Sequence, residues 1–190
     1  VRFVRFATLD IERDPSESGF APHQFDLVLA ANVLHATSDL RRSLQNAKGL
    51  LVPDGLLILI EGTGPQRLLD LIFGLTEGWW KFADHDLRPD YPLLSRGRWA
   101  DLLRDSGFVD PVILPSGDAL EATRQAVILS RGPATVEDDT PARPAPAEPL
   151  GWLIFSDGLV GPRLTEHLEA EGDHCIVVTS GERFDRLGPG

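Results

Sequence analysis

The sequence predicts an α/β protein whose sheet starts with parallel strands and finishes in an antiparallel pair. Three observations carry that prediction. Two apolar runs, Phe25 to Ala31 and Leu56 to Ile60, flank a stretch with helical spacing, which reads as strand, helix, strand. Such a unit is a right-handed crossover joining parallel strands. Two later apolar runs, Phe108 to Leu114 and Gln125 to Ser130, are joined by a short polar segment, Pro115 to Thr123, which suits an antiparallel pair. Beyond a proline- and alanine-rich stretch, a further strand–helix–strand pattern opens.

Each element has a local reason. Phe3 to Leu9 reads as a buried strand ending at Asp10, and Arg13 to Gln24, with Asp, Pro, Ser and Gly, reads as loop. Ser38 is a cap for a helix from Asp39 to Leu50, with Leu40, Leu44, Ala47 and Leu51 on one face. Pro53-Asp54-Gly55 has turn chemistry. Pro65 to Leu75 is helical in pattern, with Leu68, Leu69, Ile72 and Phe73 expected inward. Ser95 caps a helix through Asp105 that Gly107 closes. Residues 132–149 carry proline, alanine and acids but almost no large apolar group, so they read as an extended linker between residues 1–131 and 150–190. In the last segment Trp152 to Phe155 is a strand, Pro162 to Glu171 a helix and Cys175 to Thr179 a strand.

Bulk composition narrows the partners. The chain has 190 residues, a net charge of −11 and a pI near 4.8, which argues against a nucleic-acid groove or an anionic membrane. No apolar stretch reaches the length of a membrane span. One cysteine, Cys175, makes no internal disulfide, which fits the cytoplasm. The sequence holds no methionine and opens at Val1 within a strand pattern, so it is expected to be cut from a longer polypeptide. His167, His174 and Cys175 lack metal-ligand spacing, and no metal is expected.

The most informative residues are His35 and Glu61, each just past or at the end of an apolar strand and 26 positions apart. A crossover places both at the carboxyl edge of one sheet, where open α/β sheets bind ligands. A histidine with a carboxylate on its second ring nitrogen is a general base with a fixed tautomer. From the residues alone, Glu61→Gln looks milder than loss of the histidine, because an amide keeps a hydrogen-bonding group.

Several blocks then carry a resemblance. Phe25 to Thr37, Leu51-Val52-Pro53-Asp54-Gly55-Leu56, Leu59-Ile60-Glu61-Gly62-Thr63, Gly78-Trp79-Trp80-Lys81-Phe82, and Pro92-Leu93-Leu94-Ser95 with Trp99 and Gly107-Phe108 agree in order and spacing. Over about residues 1–131 the sequence resembles the C-methyltransferase domain of modular type I polyketide synthases. The tail from Leu150, with Gly151 to Asp157, resembles the start of a ketoreductase structural subdomain. The resemblance implies a class I methyltransferase (Rossmann-like) sheet using S-adenosylmethionine. It implies a β-ketoacyl substrate on the phosphopantetheine of an acyl carrier protein, and a neighbouring ketoreductase domain. His35 and Glu61 fall where the family has its catalytic pair. Asp10 and Ile11 match the segment near the cofactor's adenine, and Asn32 falls beside the cofactor face. The family's glycine-rich cofactor loop has no counterpart in this sequence, so the chain alone is expected to bind the cofactor poorly or not at all.

The chemistry implied is removal of the α-proton of a β-ketothioester by His35, followed by attack of the enolate carbon on an activated methyl group. Histidine suits the first step because its ordinary pKa, ~6.5, leaves much of it neutral near pH 7. Trp79, Trp80 and Phe82 are candidates for an acyl channel, or alternatively core aromatics. Asp10 equally fits a loop aspartate bonded to its own backbone, and Asn32 a turn residue. Arg88, Arg96 and Arg98 read either as contacts for the carrier protein or as solvated charges. Gly158 to Gly161 lacks a dinucleotide fingerprint and reads as a structural turn. The competing function is a non-catalytic spacer between synthase domains. A freestanding methyltransferase is disfavoured by the linker, and a nicotinamide oxidoreductase by the absence of a Tyr–Lys pair.

Overall fold

The computed structural model describes residues 6–115, 124–134, 151–156 and 161–179, which fall into two units, residues 1–140 and 141–190. In the first, strand β1 (Phe25–Ala31) leads through a one-turn segment to helix α1 (Leu40–Leu50) and back along β2 (Leu51–Gly62). β1 and β2 pair parallel, with Ala31 opposite Ile60, as a crossover requires. Helix α2 (Arg67–Phe73), a turn at Glu77–Trp80 and helix α3 (Arg96–Asp105) follow. The antiparallel strands β3 (Val109–Leu114) and β4 (Gln125–Arg131) complete a sheet of order β1-β2-β4-β3, with β4 antiparallel to β2 as well.

One face of this sheet makes the core. Leu57, Leu59, Ala126 and Ile128 meet Leu40, Leu44 and Ala47 of α1 and Trp99, Leu102 and Leu103 of α3, all buried. The α1 face is the one its spacing predicts. Its cap is Asp39 rather than Ser38: the Asp39 carboxylate accepts from the Arg42 N–H, while Ser38 turns to Glu12. Ser95 caps α3 as expected, and Gly107 takes the left-handed conformation that ends it.

Three further expectations change. The described part of Phe3 to Leu9, residues 6–9, has no regular structure, and Phe6 is exposed. No described strand pairs with it, and a strand persists only where its backbone groups are paired. Pro53-Asp54-Gly55 is not a turn between elements but a bulge inside β2, with Asp54 at φ 59° and a register shift opposite Phe25–Leu27. Gly55 is required there, since a Cβ would lie 2.8 Å from the Val52 carbonyl oxygen. The third change is α2, which is shorter than predicted and has no buried residue: Leu68, Ile72 and Phe73 are exposed. The sheet's second face is open: Leu27, Leu29, Val112, Leu114 and Val127 are exposed among the described residues.

In the second unit β5 (Gly151–Ser156), α4 (Gly161–Ala170) and β6 (His174–Thr179) form the expected parallel strand–helix–strand unit. Most of the expected linker, and residues 158–160 of the expected turn before Gly161, lie outside the described residues. No helix among the described residues is long and apolar enough to cross a membrane, and no His, Cys, Asp or Glu cluster there has the makings of a metal site.

Candidate active site

The site is built where β1 and β2 end side by side. Asn32 leaves β1 in the left-handed conformation (φ 52°), yet its N–H still reaches the Ile60 carbonyl at 2.7 Å. The chain then makes a single turn at Leu34–Ala36, with Leu34 driven into the core. That turn presents His35. Glu61, one residue short of the end of β2, lies on the buried face and is fully buried.

A buried carboxylate must be fully hydrogen-bonded, and Glu61 is. Its Oε1 accepts from the Val33 and Leu34 N–H groups at 3.2 and 2.9 Å, and its Oε2 meets His35 Nδ1 at 2.6 Å. The carboxylate makes Nδ1 the donor, so the ring's other nitrogen, Nε2, is left with a lone pair. The His35 side chain is 13% exposed and lines a cavity of about 630 Å³. Asn32, Gln66, Leu69, Phe73, Trp79 and Gln125 share its wall. Trp79 packs edge-on against the His35 ring, with centroids 5.8 Å apart. Tyr91 packs edge-on against both Trp79 and Trp80, and its hydroxyl donates to Asp70 at 2.6 Å. Burial, then the Asp70 carboxylate, pushes that phenol up to about 12.

The other candidates disperse. Asn32 and Trp79 line the cavity; Asp10, Ile11, Trp80 and Phe82 do not. Asp10 accepts from the Glu12 N–H and pairs with Arg13, as a loop aspartate does. Ile11 packs against the core, and its carbonyl accepts from Asn46. Trp80 is half exposed and donates to the Gly74 carbonyl, while Phe82 is buried with its ring beside the Arg88 guanidinium, 5.2 Å from the ring centroid. Arg88 is not a surface charge but is 1% exposed, paired with Asp84 at 2.6 Å. Arg96 and Arg98 donate to backbone carbonyls, of Pro115 and Gln125 and of Leu87 respectively. The carboxamides of Gln66 and Gln125 and the Asp84–Arg88 pair had no pattern in the sequence to mark them.

Comparison with known proteins points to methyltransferases. Residues 1–57 match a family described as "Methyltransferase domain". A solved carbon methyltransferase, CurJ, is 48% identical with a TM-score of 0.67, covering 70% of this chain and 36% of its own. The chain belongs with the carbon methyltransferases of polyketide synthases. Polyketide synthase ThaG of Burkholderia thailandensis is 40% identical over 157 residues, 82% of this chain and 3% of that synthase. That match is longer than the first unit, so it runs into the second. The trans-methyltransferase CalH, solved in complex with SAH, is 36% identical with a TM-score of 0.58, covering 65% of this chain and 34% of its own. This methyltransferase segment therefore spans about a third of the solved enzymes it matches and a few per cent of the synthase.

Proposed function

We propose that this segment supplies the catalytic pair of a domain that methylates the α-carbon of a β-ketoacyl chain held on an acyl carrier protein. The observation that carries the reading is the 2.6 Å contact between His35 Nδ1 and Glu61 Oε2, with the ring on the wall of the cavity. His35 Nε2 takes the α-proton. Glu61 holds the tautomer that leaves Nε2 free to do so and offsets the charge on the imidazolium that forms. The enolate spreads its charge over two carbonyl oxygens, so a histidine base is strong enough, and the chief contribution of the site is orientation.

The cavity suits a small-molecule site in size and in its mix of apolar rings with the carboxamides of Asn32, Gln66 and Gln125. S-adenosylmethionine, when bound, supplies the activated methyl group, and Asn32 is the residue of this chain best placed to contact it. Trp79, Leu69 and Phe73 form an apolar wall fit for the acyl chain. Asp10 and Ile11 hold to the adenine role only if the ligand reaches beyond this wall. Residues 150–190 serve as the opening of a ketoreductase structural subdomain, with residues 132–149 as the linker. A single cysteine, Cys175, suits a reducing cytoplasm.

The test is His35→Ala in the synthase that carries this chain, followed by mass spectrometry of methyl incorporation. Loss of a positioned base costs ~100- to 10,000-fold, with cofactor affinity unchanged. Methylation at the parent rate assigns His35 a purely structural role and favours a non-catalytic spacer.

A further inference from the structure

The segment that carries His35 is held by two buried side chains of opposite charge. Glu61 takes its N–H groups, at Val33 and Leu34. Arg88, more than fifty residues downstream, takes its carbonyls: the guanidinium donates to His35 O and Thr37 O at 2.8 Å and to Ser38 O at 3.2 Å. These carbonyls run from within the turn at Leu34–Ala36 to the approach to α1. The guanidinium is charge-balanced by Asp84, whose Oδ1 accepts from Arg88 Nε at 2.6 Å. The second Asp84 oxygen, Oδ2, accepts from the Leu40 N–H at the first turn of α1. Phe82 packs beside the guanidinium.

From this juxtaposition we propose that Arg88, seated by Asp84, is a positioning residue that fixes the backbone of His35 and so aims its imidazole into the cavity. The proposal rests on the catalytic reading of His35 given above. Glu61 holds the ring and the two N–H groups before it, but not the carbonyls of His35 and the residues after it. Arg88 ties the His35 carbonyl itself, together with two carbonyls that follow it. A guanidinium is the group for the task, because its planar fork reaches several carbonyls and its carboxylate partner at once. A lysine keeps the charge but offers a single point of attachment.

The test compares Arg88→Lys, Asp84→Asn and, as a stability control, Leu102→Ala, a buried α3 residue in the core. Methylation kinetics are measured in the synthase that carries this chain. In parallel, proton NMR on the 190-residue chain follows the hydrogen-bonded Nδ1 proton of His35. Arg88→Lys is expected to lower kcat ~10- to 100-fold, the scale of a small misplacement of a reacting group, with KM within about twofold. The Nδ1 signal should broaden or shift. If the lysine variant fails to fold, Asp84→Asn, which keeps the shape but weakens the seat of the guanidinium, carries the same expectation at a smaller fold-change.

Parent-like kcat and an unchanged Nδ1 signal in a folded Arg88→Lys or Asp84→Asn chain overturn the proposal. So does a kcat loss no larger than that of Leu102→Ala at equal residual stability. Failure of the catalytic reading is seen elsewhere, as full methylation by His35→Ala, while the NMR comparison still reports whether Arg88 orders the histidine.

Discussion

Replacing Glu61 by glutamine changes one atom, and the structure makes it a severe change. Oε1 accepts from two backbone N–H groups, and Oε2 faces His35 Nδ1. A glutamine has one oxygen and one NH2. If the oxygen stays on Val33 and Leu34, the NH2 faces Nδ1, which must then accept. The proton moves to Nε2, and the nitrogen facing the cavity is no longer a base. Reaching the useful tautomer requires turning the amide over, which sets its NH2 against one buried and one part-buried N–H donor. A buried donor left without a partner costs about 1–3 kcal/mol, so the two, one of them only part-buried, together cost roughly 2–5 kcal/mol. At ~1.4 kcal/mol per tenfold, kcat should fall on the order of a hundred- to a thousandfold. That approaches the loss of the histidine itself, where the residues alone suggested a milder effect. The assay is methyl incorporation by the Glu61→Gln synthase, paired with nitrogen NMR of His35 in the 190-residue chain to read the tautomer. A variant that keeps its proton on Nδ1, or whose kcat stays within about threefold of the parent, refutes the reasoning.

Two pH predictions follow from the surroundings. Lys81 first, then the Ser38 hydroxyl and N–H, lower the Glu12 carboxyl to about 2. A carboxyl lowered in the folded state stabilises it above the unfolded value of ~4.3, and that support fades as pH falls toward 2. After solvent screening the increment is on the order of 1 kcal/mol. Urea titrations at stepped pH should show it in the parent and a smaller one in Lys81→Ala; equal slopes in both chains contradict the assignment. Tyr91 is the one tyrosine in the chain, so an absorbance titration reads it alone. Its phenol should ionise near 12, and the support given by its bond to Asp70, complete below ~10, should be lost as pH rises from there to about 12. Phenolate forming near pH 10 in a chain that is still folded counts against it.

The meeting of His35 with Glu61 was legible because it depends on periodicity. Apolar runs ending near His35 and Glu61, with a helix between, leave a parallel crossover as the natural solution, and parallel pairing brings both ends to one edge. Arg88 was not legible, because its partners are backbone carbonyls 50 to 53 residues away, and carbonyls leave no mark in a sequence. The α2 pattern showed which residues share a face but not whether a layer lies against that face, so Leu68, Ile72 and Phe73 were misplaced. Trp79, Trp80 and Phe82 looked like one group. The tight turn at Glu77–Trp80 sends Trp79 to the cavity and leaves Trp80 outward, while Phe82, just beyond it, goes to Arg88. The bulge at Asp54 hid behind turn chemistry that serves both purposes.

The double duty of Glu61 bears on how such a domain would decay once its chemistry was no longer selected. His35 contributes one side-chain bond, so its exchange leaves a single carboxylate oxygen, Oε2, in need of another partner. Glu61 closes two backbone N–H groups of the neighbouring strand end, so its loss also loosens the local fold. Drift toward inactivity should therefore leave through the histidine first. Among descendants retained only to keep their neighbours apart, the expected relic is a buried glutamate that has outlived its histidine.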